Sequence, residues 1–236
     1  MTASQNDEHF LCLRASPAKM DKYWAEGWRH FGVIFVRYRT SSHGGKPYTV
    51  LPLRVDLERF QLTRSQKRVK AKNRDLDVII RPSFINKEKQ ELFEKHRVRF
   101  DDNVPDSLFN FLSPNPAEIP CPNLELCIYL KGRLLGVTFL DIGEVSTSAI
   151  YAIFDPAETK RSLGILMILH SIEFSRKRNC RYYYPGYAYQ EPFAYDYKKR
   201  LGALEYLDWN NGWCPYTPSA GARIREPSPA DKSAPR

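Results

Sequence analysis

Apolar positions along the chain follow two periods, and the clearer is helical. Leu163, Ile165, Leu166, Ile168, Leu169 and Ile172 leave little polar face between Leu163 and Lys177, which predicts a largely buried helix. Three β-rich runs precede it, Leu124–Leu130, Leu134–Ile142 and Ala149–Phe154, and predict three antiparallel strands, the first two joined by a Lys-Gly turn. Arg181–Tyr184 and Leu204–Trp209 read as further strands, with a short helix over Phe193–Arg200 between them. In the first half, Met20, Tyr23 and Trp24 at helical spacing predict an amphipathic helix over Ala18–Gly27 that ends on a glycine. Phe31–Tyr38 and Tyr48–Val55 predict a hairpin across Ser-Ser-His-Gly-Gly, and Ile85–Arg97 a surface helix that carries His96 at its exposed side. Together these elements predict an α+β fold with mainly antiparallel strands.

Pro114, Pro116, Pro120 and Pro122 forbid regular structure over Ser113–Asn123. A linker at 113–123 then divides the chain into an N-terminal lobe, 1–112, and a C-terminal lobe, 124–213, with a disordered proline-containing tail over 214–236. Hydrophobic residues at 42% and aromatics at 13% supply a real core and exclude low-complexity classes. No apolar run approaches the roughly 18 residues of a membrane span, and Met1–His9 lacks the pattern of a signal peptide. These features predict a soluble, cytoplasmic monomer. The five cysteines include no pair at metal-finger spacing and read as buried or incidental thiols.

Charge sharpens the picture. The formal net charge is +9, and seven cations (Arg59, Arg64, Lys67, Arg68, Lys70, Lys72, Arg74) fall between residues 59 and 74 with no acid among them. Such a patch favours a polyanionic partner, with Gln66 and Asn73 as polar side chains able to bond sugar or phosphate oxygens, against the plainer reading of a solvated helix start capped by Thr63 or Ser65. A second candidate anion site is the start of the buried helix, where Arg161, Ser162, Leu163 and Gly164 combine a cation, a capping serine and a permissive glycine. Arg161-x-x-Gly164 partly fits the pyrophosphate loop of acyl-CoA N-acetyltransferases, although Leu166 stands where that pattern wants Gly or Ala.

Four stretches taken in order resemble the arginyl/leucyl-tRNA–protein transferases. They are Glu26-Gly-Trp-Arg-His-Phe-Gly32; Leu53-Arg-Val55 with Arg59-Phe-x-x-Thr-Arg-Ser-Gln-Lys-Arg-Val69 and Asn73; Ile150-Tyr-x-x-Phe-Asp-Pro156 with Arg161-Ser-Leu-Gly164; and Tyr182-Tyr-Tyr-Pro-Gly-Tyr187 with Tyr197-Lys198. The resemblance spans residues 20–210. It implies a duplicated GNAT-like acyltransferase fold, arginine or leucine carried by charged tRNA as donor, and as acceptor the α-amine of a protein, peptide or small molecule. It also implies tRNA contacts at Arg59, Arg64, Gln66, Lys67, Arg68, Asn73, Arg161, Ser162, Leu163, Gly164 and Lys198. Gly186 falls where a GNAT lobe splays two strands and offers a backbone N–H to a carbonyl, with Tyr184 and Tyr187 as hydrogen-bond donors or stacking platforms. Asp155 is a candidate general base, and otherwise a turn residue before Pro156.

Two departures from that family stand out. Its usual cysteine cluster is replaced by Ser41-Ser-His-Gly-Gly-Lys-Pro-Tyr48, so no metal site and no cofactor are expected. Where the family tends to read Lys-Met-Arg-Tyr-Lys this chain has Ala194-Tyr-Asp-Tyr-Lys198, which points away from a degron-making enzyme and toward a different acceptor. An acyl-CoA acetyltransferase and a tRNA-binding protein without activity remain the competing readings.

Overall fold

The computed structural model describes residues 8–100 and 104–217. In chain order these form β1 (Glu8–Leu11), α1 (Pro17–Ala25), β2 (Arg29–Phe31), β3 (Ile34–Arg37), β4 (Thr40–His43), β5 (Lys46–Asp56), α2 (Arg64–Lys72), β6 (Asp77–Pro82) and α3 (Lys87–Arg97). After a proline-rich stretch of turns come β7 (Asn123–Leu130), β8 (Arg133–Ile142), β9 (Ser146–Phe154), α4 (Leu163–Lys177), β10 (Tyr182–Tyr189), β11 (Leu204–Asp208) and β12 (Gly212–Pro215). One mixed sheet runs β12-β11-β5-β10-β9-β8-β7-β6 with β4 paired to β5, and a small sheet runs β1-β3-β2. Residues from both sides of segment 113–123 therefore share the large sheet. The α+β expectation with mainly antiparallel pairing holds, since β9 and β10 form its one parallel pair among the described residues.

Side-chain alternation sorts the helices onto two faces. On β7, Leu126 and Ile128 pack against Leu163, Leu166 and Met167 of α4, while Cys127 between them packs against Leu92 and Phe93 of α3. On β10, Tyr183 joins the α4 side with Leu169 and Ile172, and Tyr184 joins Met20 and Trp24 of α1 on the other. Helix α4 is buried along most of its length, as its pattern predicts.

Several expectations need correction. The strand over 34–37 pairs with β1 and β2, not with β5; the hairpin partner of β5 is Thr40–His43, joined through Gly44 and Gly45, both at positive φ. Helix α3 is no surface helix and His96 is not exposed. Lys89, Leu92, Phe93 and His96 follow an i, i+3, i+4, i+7 stripe and all are buried, because Lys89 Nζ meets Glu125 at 2.6 Å and the His96 ring packs on Phe154. Burial and the charge of Arg99 lower His96 to about 4, so it stays neutral. The C-terminal tail begins later than residue 214, since β12 pairs with β11 through Pro215; residues 218–236 of that expected tail lie outside the described residues.

Asp21 of α1 ties this layer to the large sheet. Its carboxylate accepts from the N–H of Glu144 at 2.8 Å and of Val145 at 3.0 Å, and from the Ser146 hydroxyl, which closes the β8–β9 turn. Hydrogen bonds to an ionised group contribute about 1.5–3 kcal/mol each. Asp21→Ala is expected to cost at least one such bond and to lower the melting temperature by about 2–4 °C per kcal/mol in calorimetry. An unchanged melting temperature would show that α1 does not hold the turn.

Candidate active site

Strands β9 and β10 share only three residue pairs, Tyr182↔Ser146, Tyr183↔Thr147 and Tyr184↔Ser148, and then separate although both continue. The next residue of β10, Pro185, has no N–H to offer β9. Each strand also carries an irregularity just past the last shared pair, between Tyr183 and Gly186 in the β10–β5 ladder and opposite Phe139 and Leu140 in the β8–β9 ladder. Gly186 adopts φ +89°, and beyond it β10 stays with β5 through Tyr189↔Val50. The expected splay is thus present at the expected glycine.

Two cations converge on that bend. Arg29, from β2, donates to the Trp28 carbonyl at 2.8 Å and to the Gly186 carbonyl at 3.3 Å, and its guanidinium lies 5.4 Å from the Tyr184 ring centre. Its Nε is buried without a partner. Lys198 Nζ donates to the Tyr187 carbonyl at 3.1 Å and sits 5.1 Å from the Tyr195 ring centre. A Cβ on Gly186 would lie 3.4 Å from that ammonium, so glycine there leaves room for Lys198 as well as for the turn. Burial, helped by the charge of Arg29, lowers Lys198 from 10.5 to about 7, and burial lowers Arg29 to about 10.

Around the cations stand phenols. Tyr38, Tyr187, Tyr189 and Tyr195 form a contiguous group of rings 5.5–6.1 Å apart. Burial raises Tyr38 to about 12 and Tyr187 well above its ordinary value, so both remain neutral hydrogen-bond donors near pH 7. On the β9 side Tyr151 stacks on Phe111 at 3.8 Å, with its hydroxyl buried and unpartnered.

The other expected residues fare unevenly. Arg64, Lys67 and Arg68 lie exposed on α2, and with Lys72 they follow a helical i, i+3, i+4, i+8 spacing that makes one cationic stripe. Gln66 and Asn73 are not on it. Gln66 closes a capping box with Thr63 and donates to the Arg200 carbonyl, while Asn73 donates to the carbonyls of Val69 and Arg161; both are buried, with every group engaged inside the fold. Arg59 pairs with Asp56 and Glu205. Arg161 is held bidentately by Asp75 at 2.8 and 2.9 Å and also by Glu158, so its charge is already neutralised.

Ser162 is not a capping residue, because its left-handed backbone (φ 54°) leaves its hydroxyl without the cap bond. Leu163 is buried against β7 and β8, and Gly164 faces the Phe154 ring. Tyr184 is no free stacking platform, since Trp24 and Trp213 pack on it at 5.9 and 5.7 Å. Asp155 binds the Ala157 N–H at 2.9 Å and Arg133 at 3.1 Å, which is the turn-residue reading, and it follows the end of β9, about 23 Å along the strand direction from Ser148 at about 3.3 Å per residue. Arg29 lies within the Glu26–Gly32 motif with no local signal of a role; its convergence with Lys198 depends on tertiary placement alone.

One buried cluster has metal-ligand chemistry. His30, Cys121 and Asp141 place their ligand atoms within 4.8 Å of one another. Hydrogen bonds already account for two of them: His30 Nε2 meets Asp141 at 2.6 Å, His30 Nδ1 meets the Gly32 carbonyl at 2.8 Å, and Asn123 donates to Asp141 at 2.7 Å. Burial and the adjacent Asp141 push the Cys121 thiol up, which keeps it protonated.

The family model described as Arginine-tRNA-protein transferase, C terminus, matches residues 33–208. The chain belongs to that family. Among its relatives, the aspartate/glutamate leucyltransferase of Saccharophagus degradans is 35% identical over 174 residues, 69% of this chain and 70% of that protein. The aspartate/glutamate leucyltransferase of Leptospira interrogans is 31% identical over 182 residues, 75% of this transferase and 69% of its own length. Among solved structures, L-PGS from Bacillus licheniformis superposes with a TM-score of 0.46 at 11% identity, covering 67% of this chain and 61% of that one.

Two stability measurements probe these assignments. An unfolded chain holds the Lys198 proton up to about 10.5, whereas the folded chain releases it near 7, so between those values the unfolded state binds more protons and stability rises with pH. Lys198→Met is therefore expected to raise the melting temperature most at or below pH 7, with the gain vanishing near pH 10.5; a gain independent of pH would contradict the burial of a charge. Ser162→Ala is expected to be nearly neutral, because no cap bond is lost, and Ser162→Gly to stabilise by up to about 1 kcal/mol through relief of the left-handed backbone. A loss of about 0.5–2 kcal/mol for Ser162→Ala would restore the capping role.

Proposed function

We propose that the splay at Gly186 is where an amino acid, leucine, passes from its tRNA ester to the α-amine of a peptide or protein beginning with Asp or Glu. The observation that carries this reading is the open strand pair of a member of the transferase family, walled by neutral phenols and two cations that form no ion pair among the described residues. The donor is already activated as an ester, and the attacking α-amine, with an ordinary pKa of about 7.7–8.0, is partly neutral near pH 7. Positioning the two reactants therefore supplies most of what the reaction needs. In this reading a backbone N–H at the Gly186–Tyr187 bend, or a Tyr187 or Tyr38 hydroxyl, stabilises the developing oxyanion. The names of the relatives support leucine and an acidic acceptor.

The α2 stripe of Arg64, Lys67, Arg68 and Lys72 supplies the grip on tRNA phosphates in this proposal, because it is exposed, free of acids and continuous. The acyl-CoA reading is weaker, since the arginine that would meet a pyrophosphate is bound to Asp75 and Glu158. No helix among the described residues is long and apolar enough to cross a membrane.

Incubation with leucyl-tRNA, arginyl-tRNA or acetyl-CoA, and peptides differing at their first residue, tests the reaction by mass spectrometry. A leucine mass on Asp- and Glu-initiated peptides is expected; acetylation with no transfer from either tRNA would overturn the reading. Arg64→Gln with Arg68→Gln is expected to lower tRNA affinity and to flatten its salt dependence by about 1–2 units of log-log slope. A folded variant with an unchanged slope would place the tRNA elsewhere.

A further inference from the structure

Charges inside this protein are otherwise matched. Lys89 and Arg81 meet Glu125 at 2.6 and 2.7 Å, Arg54 meets Glu205 at 2.7 Å, and Lys199 meets Asp196 at 2.7 Å. Arg29 and Lys198 break that rule. Among the described residues neither has a carboxylate within ion-pair distance, and each leans on a main-chain carbonyl of the same dipeptide, Gly186 and Tyr187. Burial disfavours both charges in the empty site, and for Lys198 the neighbouring charge of Arg29 adds to it. Their donors are also underused: the ammonium has three N–H groups and the guanidinium five, yet Arg29 Nε has no hydrogen-bond partner and Lys198 Nζ makes one hydrogen bond among the described residues.

We propose that Arg29 and Lys198 together seat the side-chain carboxylate of the acceptor's first residue, placing its α-amine at the Gly186 bend. This rests on the reading of the splay as an aminoacyl-transfer site. A planar guanidinium beside a compact ammonium offers a carboxylate a forked partner and a point charge at once. The change that separates this chain from the family pattern does not disturb the seat, because the Asp196 carboxylate is occupied by Lys199 and Ala194 is exposed. The rings of Tyr187 and Tyr195 stand 5.8 and 5.1 Å from the Lys198 ammonium and wall the acceptor side chain on that side.

The test compares the full-length protein with Arg29→Met, Lys198→Met and Lys198→Arg, using one leucyl-tRNA and peptides that differ only in beginning with Asp or Asn. The neutral variants are expected to raise KM for the Asp peptide about 10- to 100-fold. KM for the Asn peptide and the affinity for uncharged tRNA should stay within about twofold, and Lys198→Arg should recover most of the Asp preference. An unchanged ratio of Asp to Asn peptide in folded Lys198→Met overturns the seat, as does a loss of tRNA affinity with peptide KM intact, which would assign the cations to a tRNA phosphate. If Arg29→Met fails to fold, Lys198→Met decides alone. Should the wild-type protein transfer leucine to neither peptide, the functional reading fails first, and direct calorimetric titration still decides the seat: binding the Asp peptide no tighter than the Asn peptide overturns it.

Discussion

Past Tyr184, strand β10 remains in ladder with β5 but leaves β9, and the first residue beyond the last shared pair, Pro185, has no N–H to donate. Most of the site follows from this separation. The strand keeps β5 through Tyr189, takes up its extra residue in a bulge, and turns at Gly186 with a positive φ. Released from its neighbour, β9 diverges, and the base of the opening is fixed from below by Asp21 at the β8–β9 turn and by Trp24 packed under Tyr184. A wedge thus opens in the middle of a large sheet without leaving its floor loose, a rigid setting for a reaction that depends on placement.

Placement of charge divides the molecule into two regimes. Helix α2 turns Gln66, Val69, Lys70 and Asn73 inward at i, i+3, i+4, i+7, with Lys70 paired to Glu173 at 2.6 Å, and leaves its unpaired cations on the opposite side. The inward stripe is mostly polar and still packs, because the capping box, the Arg200 and Arg161 carbonyls and the ion pair satisfy it. Polar residues in the segment that looks most suited to RNA are therefore consumed by the fold, and only the plain cations are free to meet a partner.

Periodicity made much of this legible. Helix α4, a cap at Thr63 or Ser65 and the strands β7 to β9 follow from apolar spacing and turn residues, because each depends on neighbours in sequence, and the structure places the cap on Thr63. Reading failed where a stripe mixes polar with apolar residues. Lys89 and His96 in α3 share the inward face of Leu92 and Phe93, and nothing local announces that Glu125, on a strand beyond the proline-rich stretch, will neutralise that lysine. The strand β4 and its pairing were missed because Thr40–His43 has no apolar alternation; its place is set by the Gly44-Gly45 turn and by His43 reaching Tyr189 at 2.6 Å. Gly186 was found through its motif, and Lys198 as well, whereas Arg29 gained a role only once β2 brought it to the same carbonyl pair.

In the proposed reading, donor and acceptor meet cations of different physical kind. The α2 stripe stands in water, where each charge contributes little by itself and is screened within about 10 Å at ordinary ionic strength, so it holds a long polyanion by number. Arg29 and Lys198 are half-buried among aromatic rings, where screening is weaker than in open water and a single carboxylate would feel both charges at short range. Salt then loosens the tRNA far more than the acceptor. An exposed stripe tolerates any tRNA backbone that reaches it, while the confined pair discriminates a charged first residue from its neutral isostere. Selectivity for the acceptor can thus be set by two side chains, independently of the surface that gathers the donor.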